Sequence, residues 1–416
     1  MLSIVFIETN KSGSSREAIK AAEAMGYFTI LLTAKQKFLS QREEFPDVHE
    51  MYFIEDLSVE KIKEKLTFLS TQSKKLKAII SFIDQYVYRA AQLTKLYCDS
   101  NMNSEFICKM LNKIQTRKAL KHYNFTPFFS VYNQHSENLK LFIKENKNKL
   151  PLMVKSPLST GSKDVIYVKT PSELKKAMRL LISKYPEVPV LIEEYLKGQQ
   201  YLAEILVHNG SYTIVAFVEQ TLLEKERFIV IGYGLLPEIS ETLYNKLHQL
   251  VSSIVDEFNM DNGSFHIELK YSDGQLKLIE MNPRISGGVM NSLIEAGSGI
   301  NLAREIVNLH VGEKVNIVKT KNQYAYARYL ITHTTGVLER VTGKNRALSL
   351  PGVEKVYIKP RKGAKMGSPL SMGDRCGYVL ATGGSLTEAK ARALEASQEI
   401  EFHIAQDKER GVDHND

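Results

Sequence analysis

The stretch Gly263-Ser-Phe-His-Ile-Glu-Leu-Lys … Leu278-Ile-Glu-Met-Asn-Pro-Arg-Ile-Ser-Gly-Gly288 constrains this chain more than any other. Strand side chains alternate between faces. His266, Glu268 and Lys270 therefore share one face, and Phe265, Ile267 and Leu269 the other; on the return strand Glu280 and Asn282 share a face. Asp273-Gly274 between them predicts a hairpin. A two-residue turn there pairs 268 with 279 and sends the two carboxylates to opposite faces. A three-residue loop, Ser272-Asp273-Gly274 with Gly274 left-handed, pairs 271 with 275 and makes Glu268 and Glu280 diagonal neighbours on one face. The odd-length loop is the expectation. Two carboxylates and an amide oxygen on one face make a hard-oxygen site of the kind Mg²⁺ uses, with waters and phosphates completing its shell. A solvated outer sheet face fits the same alternation. Arg284 and Gly287-Gly288 favour the site, because they add a fixed charge and allow close backbone approach.

The rest of the chain supplies a frame. Leu2–Thr9 and Tyr27–Thr33 read as buried strands, with helical spacing of Ile19, Ala22 and Met25 between them, closed by Gly26. Lys77–Ile83 reads as a later strand and Tyr86–Tyr97 as a helix, and this alternation predicts an open parallel sheet. No G-x-G-x-x-G follows the first strand, which argues against a dinucleotide site. Residues 109–130 read as helix and then turn, and 136–148 as helix stopped by Pro151. Hairpins follow: Leu152–Ser156 with Val165–Lys169, then Gln200–Val207 with Ser211–Val218 around Asn209-Gly210. Glu241–Phe258 is helical, and a last segment from about 325 ends in an amphipathic helix at about 387–403.

Three further motifs carry charge at definite places. Lys155 lies on an otherwise apolar strand before the small-residue loop Ser159-Thr160-Gly161-Ser162, whose backbone N–H groups suit phosphates; a plain hairpin with a surface lysine fits as well. Glu193 leaves a strand into a connector with exposed backbone at Leu196, a combination that can read an adenine edge or merely cap an element. Lys113 and Arg117 sit at i, i+4 on a helix, usually the mark of a solvated basic stripe.

Composition excludes more than it selects. The 416 residues are 43% hydrophobic and 25% charged, which suits soluble globular structure with two or more cores. The net charge of +8 and pI near 9.0 come from dispersed basic residues, so no nucleic-acid face is expected. Mild positive charge suits a pocket for phosphates and carboxylates instead. No uncharged run approaches the ~18 residues of a membrane span, and the amino terminus lacks a basic leader, so a cytoplasmic protein with no membrane partner is expected. Cys98, Cys108 and Cys376 show no metal spacing or disulfide framework.

In order and spacing these elements resemble the ATP-grasp superfamily of carboxylate–amine ligases over roughly residues 1–405. The resemblance implies an α/β (α+β) fold: an N-terminal open parallel α/β domain (1–108), a linker helix region (109–135), a mobile lid subdomain (136–200), a central antiparallel-sheet subdomain (201–324) and a small C-terminal β-rich domain (325–416). It implies ATP with Mg²⁺, two ions with Mn²⁺ as a substitute, held by Glu268, Glu280 and Asn282. Lys113, Lys155 and Ser162 would meet the phosphates, Glu193 and the Leu196 backbone adenine, and Gln200 the ribose. Arg284 would steady the transferred phosphoryl group or acyl phosphate, with Lys155 beside it in the catalytic set. Three departures stand out: Asn112 for the usual Asp, Asp164 where a loop glycine is common, and Gln200 for a ribose-binding Glu.

Within the superfamily the Phe-His-x-Glu strand and Asn-Pro-Arg-x-Ser-Gly-Gly look most like the L-amino acid ligases, which make dipeptides through an acyl phosphate. That likeness implies amino-acid substrates, a homodimer, and Arg328, Gly287 and Gly288 at the substrate. His266 reads as a structural strand residue rather than a base. Biotin-carboxylase-like and purine-ligase-like enzymes are the alternative, and a non-catalytic ATP-binding regulatory protein is the alternative of another class.

Overall fold

The structure, a computed structural model, describes residues 1–100, 103–158, 164–224 and 228–405. Two compact units divide it. The first comprises Met1–Leu158, Asp164–Val218 and Pro237–Lys321, and the second Glu219–Leu236 and the residues from Asn322 on.

The first unit begins with the expected parallel sheet. Its strands are β1 (Leu2–Ile7), β2 (Phe28–Thr33), β3 (Glu50–Phe53) and β4 (Lys75–Ile80), in the order β3-β2-β1-β4. Their near-continuous apolar runs suit strands covered on both faces. Val5, Ile7, Ile30 and Leu32 pack with Leu66, Leu69 and Leu93 of flanking helices. The helix Asp84–Tyr97 leaves the carboxyl end of β4.

A second sheet has the order β5-β8-β6-β7, with β5 (Phe129–Tyr132), β6 (Leu152–Lys155), β7 (Val165–Val168) and β8 (Val190–Glu194). The helix Pro171–Lys184 covers it through Leu174, Met178 and Leu181. Its start is fixed by a Thr170–Glu173 capping box with Pro171 in the first turn, the residues that satisfy orphan N–H groups there.

The chain then forms β9 (Gln199–His208), β10 (Ser211–Glu224), β11 (Phe228–Leu235), β12 (Gly263–Ser272) and β13 (Gln275–Asn282). Within the first unit the strand order is β13-β12-β9-β10. Asn209 and Gly210 both have positive φ (52° and 74°), as a two-residue hairpin turn requires. In the second unit β11 pairs with β14 (Tyr324–Leu330), and the order continues to β18 (Gly377–Gly383) and β16 (Val353–Ile358). The helix Leu386–Gln398 packs there through Ala389, Ala393 and Ala396. A small sheet joins β15 (Gly336–Thr342) to β17 (Lys365–Met366) and β19 (Glu401–Ala405).

Three sequence expectations need correction. The β12–β13 loop has two residues, not three: Ser272 pairs with Gln275, and Asp273 and Gly274 take positive φ of 50° and 73°. The carboxylates still share a face, because the register shifts by one between Glu268 and Leu269. Leu269 pairs with Leu278 but Glu268 pairs with Glu280, so Ile279 is the extra residue of a β-bulge. Glu268 and Glu280 are direct rather than diagonal neighbours. Second, the helical run at 109–130 is two short helices, Glu105–Leu111 and Lys113–Ala119, broken at Asn112, whose side chain caps the second by accepting from Ile114 and Gln115 N–H. An Asn serves as well as an Asp in that position. Third, the last helix stops at Gln398, and the chain returns as β19.

Candidate active site

β12 runs between β9 and β13, so three strands set side chains in rows across one face. His266 lies between Glu204 and Asn282, Glu268 between Leu202 and Glu280, and Lys270 between Gln200 and Lys277. The opposite face buries Phe265, Ile267, Leu269, Leu278 and Met281. That apolar packing fixes which face is polar, and the bulge brings Glu280 onto it.

A bulge leaves carbonyls outside the regular ladder. Here Arg117 meets them: its Nη2 donates to the carbonyls of Leu278 (3.1 Å) and Ile279 (2.6 Å). Its Nε donates to Glu193 Oε1 at 2.5 Å, and Lys155 Nζ donates to Glu193 Oε2 at 2.5 Å. Arg117 and Glu193 are each 3% exposed, so Arg117 is no part of a solvated stripe. Burial alone would push the Glu193 carboxyl up, but Arg117 and Lys155 outweigh it and hold its pKa at about 2. The carboxylate is thus turned to two cations.

The metal-type residues sit beside these charges. Lys113 Nζ lies 3.5 Å from Glu280 Oε1. Burial opposes ionisation of Glu280, yet Lys113 and Lys155 keep its pKa below the ordinary value. His266 is buried; its Nδ1 meets the Arg284 carbonyl at 2.7 Å and its Nε2 lies 3.3 Å from Asn282 Nδ2. The carbonyl assigns the proton to Nδ1, so Nε2 accepts from Asn282. Asn282 therefore turns its NH₂ group to His266 and, at 3.5 Å, to Glu280 Oε1. Burial, with the Arg284 charge, pushes the His266 pKa down to about 4, so it stays neutral. Among the described residues no three His, Cys, Asp or Glu side chains are grouped to hold a metal ion. The set here is two carboxylates and one amide oxygen, and that donor chemistry fits Mg²⁺, which takes few protein ligands.

The segment after Asn282 is held from three directions. Arg284 donates from Nε and Nη2 to the two oxygens of Asp84, the latter at 2.6 Å, and from Nη1 to the Ile285 carbonyl at 2.9 Å. Ser286 N–H donates to Glu204 Oε1 (2.9 Å), and the Ser286 carbonyl accepts from Ser14 Oγ (2.6 Å). Glu204 is 1% exposed, and burial pushes its carboxyl up to about 8 against the pull of Ser286 and Arg284. Gly13 (φ +84°) lies against Gly288, where a Cβ would sit 2.6 Å from the Gly288 oxygen. A Cβ on Gly287 would meet only open space.

The structure brings together Lys113, Lys155, Glu193, Glu268, Glu280, Asn282 and Arg284. Gln200 lies farther along the same face, opposite Lys270. Leu196 is half-buried in the β8–β9 connector, where Gly198 passes so close to Tyr271 that a Cβ would meet its carbonyl at 1.9 Å. Ser162 lies outside the described residues. Asp164 adopts the left-handed conformation (φ 52°) that a glycine would, and its carboxylate accepts from Lys184 and Tyr185 at 2.7 Å each. Arg328 belongs to the second unit, half-buried on β14 opposite Gly232 and Val379, and makes no ion pair among the described residues. The sequence reading passed over Glu204 and Ser14. An acidic residue in the middle of the apolar run Leu202–Val207 was the available signal for the first; nothing local marked the second.

Comparison with known proteins finds the same fold elsewhere. A family model described as ATP-grasp domain matches residues 148–292, and another, L-amino acid ligase C-terminal domain 2, matches residues 328–405. The chain carries an ATP-grasp domain and has the ATP-grasp fold. The structure of an L-amino acid ligase from Bacillus licheniformis superimposes on this ATP-grasp chain with a TM-score of 0.81 and 18% identity, covering 98% of this chain and 99% of that one. Dapdiamide A synthase of Enterobacter agglomerans is 20% identical over 366 residues, covering 84% of each chain. An uncharacterized protein, y4rH of Sinorhizobium fredii, is 26% identical over 263 residues, 62% of this chain; the match spans 54% of that protein, about half its length. Enzymes of the superfamily use ATP and Mg²⁺. No helix among the described residues is long and apolar enough to cross a membrane.

Two predictions follow from the Arg117–Glu193–Lys155 cluster. Arg117→Met removes one partner of a buried pair and frees the bulge carbonyls; unfolding in denaturant should show a loss of about 3–5 kcal/mol. A loss below about 1 kcal/mol would mean that Lys155 alone satisfies Glu193. Glu193 has a depressed pKa, so its contribution is complete above its unfolded value and is lost as pH falls towards about 2. The stability gap between wild type and Glu193→Gln should therefore narrow from about pH 6 to about pH 3, and a constant gap would contradict the assignment.

Proposed function

We infer that this chain is an ADP-forming ligase that joins two L-amino acids, activating the carboxylate of one as an acyl phosphate. The observation that carries the reading is the pairing of Glu268 with Glu280 on one sheet face with Asn282, flanked by Lys113, Lys155 and Arg284. Phosphoryl transfer needs mainly positioning and charge neutralisation, and this set offers both. Glu268, Glu280 and Asn282 would hold Mg²⁺, two ions with Mn²⁺ as a substitute, which neutralise the triphosphate. Lys113, Lys155 and Ser162 would meet its phosphates. The Glu193 carboxylate is engaged by Arg117 and Lys155, so it serves the nucleotide by placing Lys155, and the connector backbone at Leu196 reads adenine. Gln200 takes the ribose. Arg284 steadies the transferred group, while Gly287 and Gly288 let the substrate approach the backbone. The lid, residues 136–200, excludes water until an amine attacks. Arg328 takes a substrate carboxylate.

The amino-acid substrates are supported by the match to L-amino acid ligase C-terminal domain 2 and by the likeness to dapdiamide A synthase. A homodimer in the cytoplasm belongs to the same proposal.

The test is release of ADP and phosphate from Mg²⁺·ATP across pairs of the common amino acids, with mass spectrometry of the products. Release that depends on amino acids and yields a dipeptide mass is expected, and Glu280→Ala should abolish it. Release driven by bicarbonate would favour a biotin-carboxylase-like enzyme, and ATP binding without release under any condition a regulatory protein. Arg328→Ala should raise the KM for one amino acid several-fold and leave that for ATP unchanged; the reverse pattern would move Arg328 to the nucleotide.

A further inference from the structure

Arg284 does not stand open for an incoming carboxylate. Asp84 covers one edge of its guanidinium with both carboxylate oxygens. The pair is half-buried and reachable, with side chains 15% and 21% exposed. Burial opposes the charge on Asp84, and Arg284 outweighs it, so the pair is ionised. Lys113, His266 and Glu280 also face this carboxylate or its partner.

The location matters. In the order β3-β2-β1-β4, the chain leaves β1 towards β2 and β3 on one side and then crosses to β4 on the other, so the strand order reverses between β1 and β4. Ligands of open parallel sheets settle at the carboxyl ends of such neighbours. Asp84 begins the helix after β4, and Ser14 begins the helix after β1; both reach the segment Arg284–Ser286. In the same place Ser286 Oγ is buried without a hydrogen-bond partner among the described residues, an unused polar group two residues from Arg284.

We propose that Asp84 is the ammonium subsite for the amino acid whose carboxylate is activated, and so a specificity-determining residue. This rests on the ligase reading above. The substrate carboxylate takes Arg284 from Asp84, and the substrate ammonium takes the place of Arg284 on Asp84. One ion pair becomes two, and the net charge of the site is unchanged. The two substrate charges are one carbon apart, and the two protein charges are in contact, so a small separation admits both ends. A carboxylic acid without the amino group supplies only half of this exchange. It leaves Asp84 unpaired in a confined site beside Glu280, which costs binding. Asp84 thereby rejects simple acids while the resting pair keeps Arg284 neutralised.

The test compares each L-amino acid that the wild type activates with its des-amino acid, such as alanine with propionate or phenylalanine with 3-phenylpropionate. Hydroxylamine traps the acyl phosphate, so activation is read without an acceptor amine. Wild type should prefer the amino acid by about tenfold or more in kcat/KM. In Asp84→Asn that preference should fall by a similar factor, through KM for the amino acid, with KM for ATP little changed. Asp84→Glu should retain part of it. An unchanged preference in Asp84→Asn, or an equal loss for both acids in kcat, would make Asp84 a strut and overturn the proposal. Equal use of both acids by the wild type overturns it whatever the variants do. Activation of no amino acid by the wild type defeats the ligase reading itself, and is seen in the wild type alone.

Discussion

One guanidinium organises the active face. Arg117 joins three pieces of chain that are far apart in sequence: its own short helix, the Glu193 carboxylate of β8, and the carbonyls of the bulge in β13. A lysine in this place would supply one point charge, whereas the planar fork serves a carboxylate and two carbonyls together. The bulge sets the register, and the register sets Glu280 opposite Glu268. Without the extra residue the Asp273-Gly274 turn would aim one of the two carboxylates into the apolar layer. The chemistry of the face therefore depends on a backbone irregularity held in place by a buried cation.

Around that centre the charges come in complementary sets: Glu193 with Arg117 and Lys155, Glu280 with Lys113, Asp84 with Arg284. Lys113, Lys155 and Arg284 are thus each already engaged by a carboxylate of the chain. Such an arrangement keeps the cations ionised and aimed in the absence of ligand, and ligand binding becomes an exchange of partners rather than the burial of bare charge. His266 contributes differently. Neutral and bonded through both ring nitrogens, it fixes the amide of Asn282 and the backbone at Arg284 without adding charge.

Much of this was legible in the sequence because periodicity reports faces. The parallel sheet followed from apolar runs separated by helical spacing, and the Asn209-Gly210 hairpin from its turn residues. The polar face of β12 and β13 was also legible, although for a mistaken reason: the loop has two residues, and the bulge restores the face. A bulge has no local signature when the extra residue is an ordinary isoleucine inside a strand. Arg117 was misjudged because spacing on a helix does not reveal what covers it. Asp84 as partner of Arg284, and Glu204 as partner of Ser286, are contacts across long stretches of chain that depend on how the sheets pack, and no window of sequence carries that information.

The contact of Gly13 with Gly288 has a consequence for how such a site can diversify. Where two backbones touch, no side chain projects, so that seam presents the same amide surface whatever the neighbouring residues become. A lineage changing its clientele would leave the seam alone and rewrite the walls around it. Selection for new substrates and selection for a close-packed seam then act on separate residues, and drift in one does not spoil the other.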